Sequence, residues 1–242
     1  MMIIWKGILI LDEFIMLKIL ILLLMSTSAY AKGGHKMQRP SSILDDEYKV
    51  TLSIEADTYR GTEYLAPSIN LSTKNGWDIG LSTQNIAVHG GGAQNYQNDT
   101  YLNIAKTFKI TNKFYTTLGT QTGYVVDPFS NQVHLFDYVD NTFKPFSWFN
   151  IHVGGYYVNK NLATNFNQIG YLTGFEVIFI PHVLKFNSDY YSGRSNVSGN
   201  VSALTWYTPI KHFSLFSGVG VPEKDSGNEF YGIFGFNFVN LF

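Results

Sequence analysis

The chain has 242 residues, of which 14% are charged and 16% are aromatic, and its 17 lysines and arginines nearly balance its 18 aspartates and glutamates. A typical soluble domain contains about 25% charged residues, and a surface that binds nucleic acid carries excess positive charge, so the composition argues against a nucleic-acid partner. The chain has no cysteine, which excludes a disulfide framework, thiol chemistry and a lipid anchor on an amino-terminal cysteine.

The amino-terminal segment has the features of a cleaved export signal. A basic start at Met16-Leu-Lys18 precedes a short apolar run, and Ala29-Tyr-Ala31 has the small-residue spacing of a signal-peptidase site. We therefore expect residues 1–31 to be a signal peptide that is cleaved after Ala31. Residues 1–15 place two carboxylates ahead of the apolar run, so Met16 is the expected start of translation. The run is too short to cross a bilayer as a helix.

The rest of the chain is predicted to form a flexible periplasmic lead-in at 32–46 and one all-β, antiparallel up-and-down transmembrane β-barrel at 47–242. Its segments alternate apolar and polar residues, which is the pattern of strands with one lipid-facing and one lumen-facing side. Twelve strands are predicted, at 48–59, 63–73, 77–86, 99–110, 114–126, 132–140, 147–158, 168–180, 183–192, 200–208, 213–222 and 230–242. Ten strands are the alternative, because the region 132–140 has no clear apolar face.

Short and long connections alternate along the predicted barrel. Turns such as Thr73-Lys-Asn-Gly76, in which Asn-Gly favours a tight hairpin, alternate with polar loops at 87–98, 127–131, 159–167, 193–199 and 223–229. The turn at 141–146 is longer than the other short ones. Outer-membrane barrels have short periplasmic turns and longer extracellular loops, so both chain ends are expected on the periplasmic side.

Aromatic residues cluster near the ends of the predicted strands. They include Tyr59, Trp77, Tyr101, Trp148, Tyr191 and Trp206. Amphipathic rings favour the headgroup zone of a bilayer. We therefore predict that these residues form the two aromatic girdles of a membrane barrel.

The last strand carries an aromatic row on one face. Phe234, Phe236, Phe238 and Phe242 share one parity, so they lie on the same side of a strand. The segment resembles the closing strand of Gram-negative outer-membrane barrels, in which a terminal aromatic residue is part of a membrane-insertion signal. The resemblance implies location in the cell outer membrane, with the barrel-assembly machinery, outer-membrane lipids and lipopolysaccharide as partners.

The polar faces of the strands supply the candidate functional residues. Ionisable groups in a membrane barrel are tolerated where water or a partner reaches them. The candidates for a channel lining are Glu55, Asp57, His152, Glu176, Lys185 and Asp189, and Arg60 and Arg194 are predicted near the outer mouth. The acidic bias of this set favours cations or neutral solutes. The three arginines of the chain are too few for a basic ladder that would bind acidic sugars.

One stretch resembles the opening of a family of small porins of proteobacteria. The residues that carry the resemblance are Asp57-Thr-Tyr-Arg-Gly61, then Pro67, then Gly76-Trp-Asp-Ile-Gly80. The first arginine of the family's motif is missing here, and Ser82 stands where the family has a tryptophan. The match covers about an eighth of the chain. It implies an outer-membrane channel and transfers no catalytic residue.

The predicted function is passive diffusion of small polar solutes through a narrow polar lumen. The alternative is a closed barrel that acts through its extracellular loops as an adhesin, receptor or structural protein, because side chains can nearly fill a twelve-stranded barrel. A lipid-modifying barrel enzyme is a weaker third option. His89-Gly-Gly-Gly92 resembles the oxyanion loop of lipases, but the chain has no Gly-x-Ser-x-Gly segment to supply the nucleophile. We therefore predict no enzymatic activity, no catalytic or metal site and no cofactor.

Overall fold

A computed structural model describes residues 48–59, 61–90, 98–126, 132–163, 168–195, 197–226 and 228–241. The secondary structure of these residues consists of β-strands joined by turns. The strands are β1 Lys49–Tyr59, β2 Thr62–Ser72, β3 Trp77–Gln84, β4 Ile86–Gly90, β5 Asn98–Lys109, β6 Phe114–Val126, β7 Gln132–Phe146, β8 Phe149–Val158, β9 Ile169–Ile180, β10 Leu184–Tyr191, β11 Gly199–Tyr207, β12 Phe213–Pro222 and β13 Tyr231–Leu241. No helix in these ranges is long and apolar enough to cross a bilayer. The predicted signal peptide and lead-in lie outside the described residues.

The strands form one closed antiparallel barrel. Each strand pairs with its neighbours in the order β1, β2, β3, β5 and onward to β13, and β13 pairs with β1 to close the ring. This closing pair runs from Lys49 opposite Leu241 to Thr58 opposite Gly232. The predicted all-β, twelve-stranded barrel is therefore confirmed, and β4 is an additional strand outside the ring.

The additional strand prolongs one hairpin beyond the ring. β3 pairs with β5 as far as Gln84 opposite Asp99, and Asn85 then adopts a positive φ of 60°, which asparagine tolerates better than most residues. After this bend β4 continues along β2, from Ile86 opposite Leu65 to Gly90 opposite Thr62. The prediction of a loop from residue 87 was thus wrong for its first four positions.

The barrel has two unlike rims. Five short turns, at 73–76, 110–113, 147–148, 181–183 and 208–212, lie at one end together with the first and last strand ends. We call this end the short-turn rim and the opposite end the long-loop rim. The predicted turn at 141–146 is not a turn, because β7 continues to Phe146 and the chain reverses at Ser147-Trp148. Asn141 belongs to the strand ladder, where its side chain accepts a hydrogen bond of 2.9 Å from Thr116.

The alternating sequence pattern separates the two faces of the wall. Leu52 and Ile54 on β1 are 46% and 39% exposed and face outward, whereas Glu55 and Asp57 are buried and face inward. On β13, Phe234 and Phe238 are exposed on the outer face, and Phe242 lies outside the described residues. Phe236 shares the outer face of β13 and is partly exposed. The role of this phenylalanine row as an insertion signal stays a prediction.

The predicted girdles are only partly right. Trp77, Trp148 and Trp206 are about half exposed near the short-turn rim, as expected of a girdle at a membrane interface. Tyr59, Tyr101 and Tyr191 instead point inward and are at most 5% exposed. Position near a strand end does not determine which face a ring occupies, because the face follows from parity alone.

Four inward tyrosines pack against glycines of the neighbouring strand. Each ring lies over the glycine that is directly opposite in the ladder: Tyr101 over Gly123, Tyr138 over Gly119, Tyr156 over Gly170 and Tyr231 over Gly220. A Cβ atom on Gly119 would lie 2.2 Å from the Tyr138 ring. The glycines therefore allow large rings to lie flat against the inner wall.

Candidate functional site in the barrel interior

The interior has two walls that differ in packing. On β5 to β8 almost every inward side chain is buried, including Tyr101, Phe136, Tyr138 and Tyr156, which belong to one hydrophobic cluster. We call this surface the dense wall. On β9 to β12 most inward residues are partly exposed. We call that surface the open wall, because water reaches it.

A histidine joins the two walls. His152 on β8 makes a contact of 2.7 Å through Nε2 to Asp189 Oδ1 on β10, and one of 3.3 Å through Nδ1 to Asp140 Oδ1 on β7. Gly174 on β9 lies between His152 and Asp189 in the ladder. A Cβ atom on Gly174 would lie 2.4 Å from the imidazole and 2.6 Å from the Asp189 carboxylate. Because Gly174 has no side chain, the imidazole of His152 can reach across β9 to Asp189.

A second polar group lies next to this histidine, one step closer to the short-turn rim. Lys185 Nζ lies 2.9 Å from Glu176 Oε2, and each side chain is 26% exposed. Asn150 donates a hydrogen bond of 3.0 Å from Nδ2 to Glu176 Oε1. The buried Asn150 Oδ1 accepts no hydrogen bond in the described part of the chain. The carboxylate of Glu176 therefore binds both an ammonium group and an amide.

A third polar group lies near the long-loop rim on the dense wall. Tyr101 Oη lies 2.8 Å from His134 Nδ1, and Asn85 donates a hydrogen bond of 2.9 Å to Asp99 Oδ2. Asp99 and His134 are at most 2% exposed. These buried groups form part of the dense wall near the long-loop rim.

The structure places the sequence-predicted lining residues as follows. Glu55, Asp57, His152, Glu176, Lys185 and Asp189 all face the interior. The last four form two neighbouring pairs, His152 with Asp189 and Lys185 with Glu176, whereas Glu55 and Asp57 are buried on β1, across the interior. Their function as a channel lining stays a prediction. Arg194 is exposed between β10 and β11 at the long-loop rim, and Arg60 lies outside the described residues.

Sequence reasoning missed Asp140. This carboxylate is fully buried and contacts His152, but it lies on β7, whose inner face alternates His134, Phe136, Tyr138 and Asp140. Asp137 interrupts the outer face of this strand, and Phe136 and Tyr138 lie on its inner face. Neither face is therefore uniformly apolar or polar, which is why the segment showed no clear face.

Among the described residues, no group of three or more histidine, aspartate or glutamate side chains has the arrangement of a metal-binding cluster. His152 makes a hydrogen bond of 2.7 Å with Asp189 and a contact of 3.3 Å with Asp140. What the interior offers chemically is a set of ionisable groups inside the closed ring of strands.

Comparison with known proteins identifies the fold as that of outer-membrane porins. No protein-family model matches the chain, and no curated protein matches its sequence. Among solved structures, a KdgM porin matches with a TM-score of 0.56 at 11% identity, over 78% of this chain and 98% of that chain. A NanC porin matches with a TM-score of 0.56 at 10% identity, over 80% of this chain and 99% of that chain. At these identities the likeness is one of fold, and at that level it agrees with the resemblance to small porins seen in the sequence.

Proposed function

We propose that this protein is an outer-membrane channel through which small polar solutes diffuse passively. One observation carries the proposal: a closed twelve-stranded ring holds ionisable side chains that are partly exposed on its inner surface. Ionisable groups in a membrane protein are tolerated where water reaches them. Glu176 and Lys185, each 26% exposed, and Asp189, 20% exposed, are such groups. The partners of this proposed channel are small polar solutes and the lipids of the outer membrane.

The proposed path runs along the open wall. The dense wall fills its side of the interior with tyrosine and phenylalanine rings, so it leaves the inner faces of β9 to β12 as the passage. Small inward residues such as Ala203 and Gly218 line that passage on β11 and β12. Asp189, Glu176 and Lys185 then stand beside the passing solute as the lining residues.

The charge of this interior favours cations and neutral solutes over anions. Between the rims, the described inward residues include the carboxylates Glu55, Asp57, Asp78, Asp99, Asp140, Glu176 and Asp189 and two lysines, Lys49 and Lys185. A ring of acidic side chains favours cations in a pore. A KdgM porin is known in complex with oligogalacturonate, a polyanion (TM-score 0.54, 11% identity, 78% of this chain and 98% of that chain). We propose that this chain does not share that type of substrate.

We further propose that the protein acts without catalysis. Two outward serines are the nearest arrangement to a nucleophilic site on the membrane-facing surface. Ser188 and Ser202 lie 2.9 Å apart, and Asn200 donates a hydrogen bond to Ser188 and accepts one from Ser202. A serine nucleophile requires an adjacent base. Neither hydroxyl contacts a histidine in the part of the chain that the structure describes.

The test is single-channel recording of the purified protein in a planar lipid bilayer. Stepwise conductance is the expected result. A protein that inserts as a folded barrel but conducts no ions would contradict the proposal. It would instead favour a closed barrel that acts through its long-loop rim, where β4 extends beyond the ring.

A further inference from the structure

Five lysines cluster on one sector of the short-turn rim. Lys74 lies in the turn between β2 and β3, Lys106 and Lys109 lie at the end of β5, Lys113 lies in the next turn and Lys144 lies near the end of β7. The pairing of β3 with β5, β5 with β6 and β6 with β7 makes these positions neighbours. The Lys144 backbone amide, for example, donates a hydrogen bond to the Lys113 carbonyl. We call these five residues the lysine sector.

The lysine sector has no counter-charge in the described part of the chain. Lys113 donates a hydrogen bond of 3.2 Å to the Pro145 carbonyl, and Lys106 donates one to the Asn75 carbonyl. Neither acceptor is ionised. The ion pairs of the described residues involve other side chains. The nearby carboxylate of Asp78 faces the interior, where it accepts a hydrogen bond from Ser72.

The sector also touches the membrane-facing surface. Lys106 Nζ lies 5.1 Å from the centre of the Trp77 ring and 5.8 Å from that of Phe108. Both rings are outward and more than 40% exposed. A cation held over interfacial aromatic rings lies at the depth of lipid headgroups, while its alkyl stem stays on apolar surface. Phe143, Phe146 and Trp148 continue this aromatic belt along the same sector.

We propose that the lysine sector binds the headgroups of anionic phospholipids in the leaflet that meets the short-turn rim. The partner must be negatively charged, because several unpaired ammonium groups repel one another unless an anion lies between them. It must reach the membrane-facing side of the wall, because Lys106 is held there. A lipid phosphate meets both conditions, and each lysine near a charged membrane surface contributes favourably to such binding.

Tryptophan quenching by brominated lipids tests this proposal, because Trp77 lies directly beneath Lys106. The full-length protein is reconstituted into phosphatidylcholine vesicles that contain an equal fraction of brominated phosphatidylglycerol or brominated phosphatidylcholine. We expect the anionic lipid to associate about fivefold more strongly at low salt. High salt should remove most of this preference, since exposed charges are screened within about 3 Å at 1 M salt.

Two charge-matched variants locate the effect. In Lys106→Gln/Lys113→Gln the preference should fall to about twofold or less, whereas in Lys160→Gln/Lys224→Gln, which removes two exposed lysines from the long-loop rim, it should remain. Lys113, Lys160 and Lys224 are exposed and Lys106 is partly exposed, so both variants are expected to fold, and circular dichroism in the vesicles checks this. Equal quenching by the two lipids, or a preference that survives in the first variant, would overturn the proposal. Displacement of the lipid by inorganic phosphate at fixed ionic strength would assign the sector to free anions and would also overturn it.

Discussion

The dense wall and the open wall are built from the same element, an antiparallel strand with one apolar outer face, yet their inner faces differ. On the dense wall, tyrosine rings lie flat on glycines and bury each other: Phe136 lies 5.4 Å from both Tyr138 and Tyr156 between ring centres. On the open wall, the inward positions of β11 and β12 include small residues such as Ala203 and Gly218, which remain partly exposed.

This difference indicates that the two walls contribute differently to the same lumen. Burial of apolar area on the dense wall contributes to stability on the inner side, since burial stabilises in proportion to the area removed from water. The open wall contributes less packing and keeps charged groups in contact with water. The interior of a twelve-stranded barrel therefore does not have to be wholly filled or wholly empty, because the packing of inward side chains can differ from one sector of the ring to another.

The largest expected effect is on the free energy of unfolding, when one aromatic ring is removed from either wall in separate variants. Phe136→Ala should lower the free energy of unfolding by about 3–5 kcal/mol, because the ring is 2% exposed and its loss leaves a cavity. Phe216→Ala on the open wall should cost about 1–2 kcal/mol, because that ring is only partly buried. Urea unfolding in lipid vesicles, followed by tryptophan fluorescence, measures both. Equal losses of unfolding free energy in the two variants would contradict the difference in packing between the two walls.

A smaller effect is expected from adding one methyl group to the dense wall. In Gly119→Ala the new Cβ would lie 2.2 Å from the Tyr138 ring, which Phe136 holds in place, and overpacking of this kind costs about 1–3 kcal/mol. Gly155→Ala is the matched control, because its Cβ would point outward and meet no atom closer than 3.7 Å. The same unfolding measurement should find the control within about 0.5 kcal/mol of the parent. A stable Gly119→Ala would mean that the ring is free to move aside.

The smallest expected effect is on ion selectivity. Asp189→Asn removes a charge from the open wall, and the ratio of potassium to chloride permeability should fall by about twofold in a salt gradient. Asp137→Asn removes the same charge from the outward face of β7, so its reversal potential should stay near that of the parent. Low ionic strength should enlarge the difference, because exposed charges are then less screened. Identical shifts in the two variants would contradict a path along the open wall.

Much of the fold was predictable because the face on which a strand residue lies follows from its odd or even position in the local sequence. Alternation in β1, β8 and β9 placed Glu55, His152 and Glu176 on the inner face without knowledge of any neighbour. The extent of β7 was not predictable, since Asn141 and Pro145 read as turn residues and their place in a strand depends on pairing with β6 and β8. The bend at Asn85 likewise depends on where β5 stops following β3.

The candidate site was less predictable than the fold. His152 and Asp189 are 37 positions apart, and they meet because the register of β8, β9 and β10 places both opposite Gly174. Register across three strands follows from the shear of the whole barrel, which no single segment encodes. Asp140 contacts His152 because β7 pairs with β8 in a fixed register.

The pairing of β1 with β13 has a consequence for how the protein is made. These strands meet over ten consecutive register pairs, and they are the first and last strands of the ring, so this seam carries the largest loop-closure entropy in the ring. Until the last strand pairs, β1 and β12 both present open edges that a foreign strand could join. Synthesis from the amino terminus therefore leaves the ring open until β13 has been made. Loss of β13 alone would convert the closed ring into an aggregation-prone open sheet.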